Sequence, residues 1–99
     1  MQTQKLMTKS TDAAGLLSAM GNAKRMLILC NLVEGEMAVS ALAEKVGLSQ
    51  SALSQHLAKL RHRNLVSTRR DAQTIYYSVS AESVIAVLKT LETIYFADD

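Results

Sequence analysis

From Val39 the chain runs VSALAEKVGLSQSALSQHLAKLRH to His62. Leu42, Ala43 and Val46 fall on one face of a short helix, and Gly47 ends it. Ser49 can then cap a second helix, Gln50 to about His62, whose inward stripe is Leu53, Leu57 and Leu60. Two helices crossing at a tight turn need a small side chain at the crossing, a flexible turn residue and apolar anchors around them. Ala43, Gly47 and the trio Val46, Leu48 and Leu53 supply these, so the stretch reads as a helix-turn-helix.

At about 100° per residue, with Leu53 pointing inward, Ser51, Ser54, Gln55, Ala58 and His62 project to the opposite side, flanked by Lys59. A ridge of small and amide side chains can enter the major groove, where Gln can bond adenine twice and Ser can donate or accept at several base edges. Gln50 occupies the first turn, the end that points at base edges in such motifs. His56 lies at the margin of the apolar stripe, where packing and DNA contact are equally open to it.

Downstream, Leu65 to Arg70 and Thr74 to Val79 are rich in β-branched and aromatic residues around a polar turn at Asp71, Ala72 and Gln73, the pattern of a β-hairpin. Ile75, Tyr77 and Val79 are expected to face the core, while Arg69, Arg70, Gln73 and Thr74 gather near the tip, within reach of phosphates or a minor groove. Lys59 and Arg63 are further candidates for phosphates. The charge distribution agrees: Ser49 to Tyr77 carries +4 and the remainder −2, from a total of only +2. Such an asymmetry suits a polyanion partner.

Ser80 is expected to cap a final helix to about Phe96, with Glu82 in its first turn. Its apolar residues Val84, Ile85, Val87, Leu88, Leu91, Ile94 and Tyr95 cover more than one face, and the surplus implies a partner. Upstream, Ala13, Leu16, Leu17 and Met20 recur at i, i+3, i+4 and i+7 in a helix that Thr11 or Asp12 can cap. The predicted dimer interface is Leu16, Leu17 and Met20 of that helix with Val84, Val87, Leu88, Leu91, Ile94 and Tyr95 of the last one. Between them, Asn22 is placed to cap a helix from Lys24 to about Val33 that is apolar nearly all round, with Cys30 expected as a buried small hydrophobe.

The expected architecture is mainly α with a small β-hairpin: helices 1–4, a two-stranded antiparallel wing and a C-terminal dimerisation helix. Residues 1–10 lack apolar periodicity and read as a flexible tail, leaving 11–99 as one winged helix-turn-helix domain. No run approaches the roughly 18 apolar residues that cross a bilayer, and Met1 to Asp12 has no signal-peptide core, so a cytoplasmic location is expected. The single cysteine has no Cys or His at metal-ligand spacing, and no metal or cofactor is expected. Acids such as Glu34, Glu36 and Asp71 are scattered over turns with no nucleophile and base paired and no Gly-rich phosphate loop, which argues against an enzyme.

From about Leu16 to Tyr95 the chain resembles the arsenical-resistance-repressor family of winged-helix regulators, through NAKRMLIL from Asn22, VSALA from Val39, LSQSALSQHLAKLR from Leu48 and TRRDAQTIYY from Thr68. Within it the likeness is to the group holding nodulation-gene repressors, haemolysin regulators and sulfide-responsive biofilm repressors. The resemblance implies a homodimer joined through its first and last helices that binds duplex DNA at imperfect inverted repeats near promoters, usually as a repressor. Activation by displacing a silencing protein is the alternative, and a protein-interaction module without DNA readout is another. Metal-sensing members carry cysteines on the first helix of the motif or carboxylate and His ligands on the last. Here Val39 to Val46 has no Cys, and Ser80 to Asp99 has neither Cys nor His, so no metal sensing is implied. Sulfide-responsive members pair the cysteine equivalent to Cys30 with one near the end of the last helix, where this chain has Tyr95 and Phe96, which excludes an intrachain disulfide.

Overall fold

Side-chain caps open two of the helices, and left-handed turns close two. In the computed structural model, which describes residues 1–98, the order is α1 (Thr3–Met7), α2 (Ser10–Met20), α3 (Ala23–Val33), β1 (Met37–Ala38), α4 (Val39–Val46), α5 (Gln50–His62), β2 (Val66–Asp71), β3 (Thr74–Val79) and α6 (Glu82–Phe96). The Asn22 side chain accepts the Lys24 and Arg25 amides at 3.0 and 3.1 Å, opening α3, and Ser49 Oγ accepts the Ala52 amide at 3.2 Å, opening α5. Helices α4 and α5 close in the same way. Gly47 (φ 70°) and Asn64 (φ 59°) turn left-handed, so that Leu48 N–H reaches Ala43 O and Leu65 N–H reaches Leu60 O, each at 3.0 Å. Orphan carbonyls are thereby satisfied and an apolar side chain is turned back onto the core.

That core is built from Ile28 and Leu29 of α3, Leu42 of α4, Leu53, Leu57 and Leu60 of α5, and Val84 of α6, all essentially inaccessible. Each such side chain stabilises by about 1.5–3 kcal/mol relative to exposure. The strands form one antiparallel sheet ordered β1-β3-β2, with Met37 opposite Tyr77 and Arg69 opposite Tyr76. Asp71 pairs with Thr74 across a two-residue loop, Ala72 and Gln73.

The helix-turn-helix, the central α3 and the hairpin thus stand where the sequence puts them, save that Asp71 leaves the expected turn to pair in β2, but other expectations are corrected. There are six helices among the described residues, because Thr3–Met7 of the expected tail winds into a short, wholly exposed helix. The next helix starts at Ser10 after Lys9 with no side-chain cap, so neither Thr11 nor Asp12 serves there. The wing has a third strand, since Met37 and Ala38 pair with β3. Ser80 does not cap α6; its hydroxyl lies 3.4 Å from Asn64 O, and Ala81 takes the cap position without a side-chain bond. Ile75 is exposed, lying toward the wing tip beyond the reach of the core, whereas Tyr77 is buried and Val79 partly so.

Met20 and Val84, expected at a dimer interface, are enclosed in the protomer's own core because the end of α2 and the start of α6 rest against α3. Cys30 is exposed rather than buried. It borders a hollow of about 590 Å³ between α3 and the C-terminal half of α6, which leans away from the core and leaves Tyr95 and Phe96 open. No described helix is long and apolar enough to cross a membrane.

Candidate nucleic-acid interface

The α5 helix buries Leu53, Leu57 and Leu60 and leaves Gln50, Ser51, Ser54, Gln55, Ala58, Lys59 and His62 exposed. The outward ridge therefore has the composition read from the sequence. Ser51 Oγ lies 3.3 Å from the capping Ser49 Oγ, which orders the hydroxyls at the helix entrance. The wing stands beside this entrance. A groove of about 390 Å³ is lined by Gln50 and Ser54 of α5, Gln73, Thr74 and Ile75 of the wing, and Ser40 of α4. Helix and wing thus converge on one concave surface rich in hydroxyls and amides. Ser40 was not singled out by sequence, because only the fold brings the first turn of α4 to the wing tip.

The basic residues divide into free and engaged. Arg70 is exposed at the wing and has no ion pair among the described residues. Its neighbour Arg69 is bound from two sides. Its Nε donates to both carboxylate oxygens of Glu36 at 3.0 and 3.1 Å, its guanidinium forms an ion pair there, and its Cζ lies 4.4 Å from the Tyr76 ring centroid. The hydrogen bonds lower the Glu36 pKa and raise that of Arg69. Arg63 lies at the end of α5, and its Nη2 donates to the Asp12 carbonyl at 3.1 Å. Its guanidinium fills the space over Gly15, where a Cβ would collide with it.

His56 faces inward enough to meet Arg25, whose Nη1 lies 3.2 Å from Nδ1. Burial is the first cause, and the charges of Arg25, Lys59 and Lys24 the next, that hold its pKa below the usual imidazole value. Of the two roles left open for this residue, the geometry supplies the packing one. Among the described residues no group of three His, Cys, Asp or Glu side chains is placed to hold a metal ion.

A short helix, a left-handed glycine turn, a polar-faced second helix and an adjoining hairpin define a winged helix-turn-helix regulator of transcription, a class that binds DNA and performs no catalysis. Residues 22–68 match the model of the bacterial regulatory protein, arsR family, and the chain belongs to that family. It is 70% identical over 86 residues to the nodulation protein NolR of Rhizobium meliloti, covering 87% of this chain and 70% of that one. The crystal structure of NolR from Sinorhizobium fredii superposes with a TM-score of 0.87 at 66% identity over 92% of this chain and 91% of that one. A homodimeric winged helix-turn-helix DNA-binding domain from Mycobacterium bovis, solved by NMR, aligns with a TM-score of 0.76 at 28% identity, covering 94% and 83%.

Proposed function

We propose that this chain works as a cytoplasmic homodimer that lays two α5 ridges into successive major grooves of an imperfect inverted repeat and represses transcription from the adjoining promoter. The observation that carries this reading is the wholly exposed polar ridge of α5 beside the wing groove. Gln50, Ser51, Ser54 and Gln55 read base edges, with Gln73 and Thr74 adding contacts from the wing. Lys59 and Arg70 hold phosphates, Arg63 does so after exchanging its carbonyl partner, and Arg69 after leaving Glu36. His56 supports the ridge from behind rather than reading DNA.

Two observations support the homodimer. The Cα radius of gyration is 14.7 Å, larger than the roughly 13 Å of a self-contained chain of this length. The excess accompanies an apolar surface at Leu17, Ile85, Ile94, Tyr95 and Phe96, contributed by α2 and α6. Of the residues expected at the interface, Leu17, Ile94 and Tyr95 supply its exposed part, while Leu16, Val87 and Leu88 pack against the protomer's own core and Leu91 lines the hollow beside Cys30. Neither α4 nor α6 offers a Cys or His, and we expect no metal requirement for DNA binding.

The test is selection of bound duplexes from fragmented genomic DNA, followed by gel-shift titration at rising salt. Engagement of about 6–10 phosphates lowers affinity by roughly 10³–10⁵ between about 50 and 200 mM salt. A chain that recovers no preferred fragment and has no affinity to lose with salt does not read DNA. A reporter driven by the recovered promoter, compared with and without the protein, gives the sign of regulation.

A further inference from the structure

Arg25 is the charged side chain that the fold buries among the described residues, with 8% of its surface accessible. Burying a guanidinium is costly unless every part of its fork is bonded. Here Nε donates to Ala19 O at 2.6 Å, Nη2 to Ser18 O at 3.2 Å, and Nη1 points at His56 Nδ1 at 3.2 Å. Ser18 and Ala19 belong to the last turn of α2, whose carbonyls have no amide ahead of them and form the negative end of the helix dipole. One residue of α3 therefore joins the end of α2 to the back of α5.

The chemistry of the third bond restricts the histidine. A guanidinium can only donate and does not lose its proton, so Nδ1 must accept, which requires a neutral ring carrying its hydrogen on Nε2. The charged groups acting on His56 are all cations, Arg25 and Lys24 from α3 and Lys59 from α5, while α2 contributes carbonyls. Protonation would set an N–H donor and a positive charge against the Arg25 fork with no carboxylate to absorb either.

We infer that Arg25 is a positioning residue for DNA readout, fixing the angle between α5 and α2, and that it does so only while His56 is neutral. The inference rests on the dimeric reading above. If α2 belongs to the interface and α5 to the DNA, the angle between them sets the separation of the two ridges. Separation matters for an inverted repeat and is irrelevant to sequence-independent attraction. A folded-state pKa below the usual imidazole value means that the unfolded chain binds the proton more readily. The clamp's contribution to stability is therefore present above the ordinary histidine range and lost as the pH falls through it to the lowered value.

The experiment measures fluorescence anisotropy of a labelled duplex recovered by the genomic selection, and of a scrambled duplex of equal length, between about pH 8 and pH 5.5. Arg25→Lys keeps the charge but loses the fork, and at the upper pH it is expected to lower the selected-to-scrambled affinity ratio by about tenfold, with affinity for the scrambled duplex unchanged. His56→Asn offers an amide oxygen near the Nδ1 position and cannot titrate there. It should keep the ratio and flatten its pH profile, whereas the unaltered chain loses the ratio on acidification. Urea unfolding and sedimentation of the same samples report fold and dimer mass. Arg25→Lys matching the unaltered chain at every pH overturns the inference, as does His56→Asn retaining the original pH profile, or a ratio that falls only in step with the unfolded fraction. Equal affinity of the unaltered chain for both duplexes overturns the DNA-reading function itself and the inference with it.

Discussion

The two longest helices, α5 with 13 residues and α6 with 15, dispose of their apolar side chains in opposite ways. In α5 every leucine is enclosed by the protomer, and what remains outside is hydroxyl, amide, imidazole, ammonium and guanidinium, with only the small Ala58 among them. In α6 only Val84 is enclosed, and the helix runs on to Ile94 at 64% and Tyr95 at 72% exposure. A finished helix with a polar ridge offers hydrogen bonds, whereas an unfinished one offers area, because large exposed apolar groups gain only by leaving water. The difference separates the surface suited to nucleic acid from the surface suited to another copy of the chain, although both helices look amphipathic in isolation.

The strongest way to break this contrast is to damage the enclosed side of α5. Leu57→Ala should lose about 2–5 kcal/mol in urea unfolding, through lost transfer energy and the cavity left behind. Ile94→Glu on α6 should leave the helical circular dichroism intact while weakening the dimer by about 2–3 kcal/mol, roughly 30–150-fold in its dissociation constant, read by sedimentation over a concentration series. If that substitution instead unfolds the chain or leaves the dimer unchanged, α6 is not the surface awaiting a partner. Next in size, Gln55→Ala should cost about 1–3 kcal/mol at particular base pairs, measured by substituting the selected duplex one position at a time. Arg70→Ala should weaken all sequences alike and reduce the salt slope by about one, with Arg69→Ala having less effect because Arg69 starts out bound to Glu36.

The smallest effect is expected for Glu36→Gln, which spares Arg69 the cost of leaving its carboxylate and should tighten binding to all duplexes slightly in the same titration, with the salt slope unchanged because Arg69 reaches its phosphate in either case. The sign with pH follows from the lowered carboxylate pKa. The pair's contribution to stability is present above the ordinary glutamate range and lost as the pH falls through the lowered value, so acid should erase the difference between Glu36→Gln and the unaltered chain in thermal unfolding.

Much of this was legible in the sequence because it is local. Asn22, Gly47, Ser49 and Asn64 act within a few residues of themselves, and the leucine spacing of α5 states which face is covered. What escaped depends on partners far along the chain. Glu36 and Arg69 are 33 residues apart and are neither neighbours on a helix nor partners on adjacent strands. Arg25 likewise meets His56 from 31 residues away, and only the bend at Gly21 and Asn22 turns the α2 carbonyls toward it. β1 has two residues, too few to show alternation, and exists because β3 offers it an edge. Leucine-rich periodicity cannot say which end of α6 leaves the core, so Val84 was assigned outward and Cys30 inward, and both assignments reversed.

That two-residue strand has a mechanical consequence. Met37 and Ala38 are paired to Tyr77 and Tyr76 in the middle strand of the wing, and α4 begins at the very next residue, Val39. Hairpin and reading head are therefore stitched into a single jig with little freedom to splay. When such a tool meets its duplex, most of the bending must be done by the nucleic acid, so flexible pyrimidine–purine steps lying between the touched bases should help decide which promoters are held.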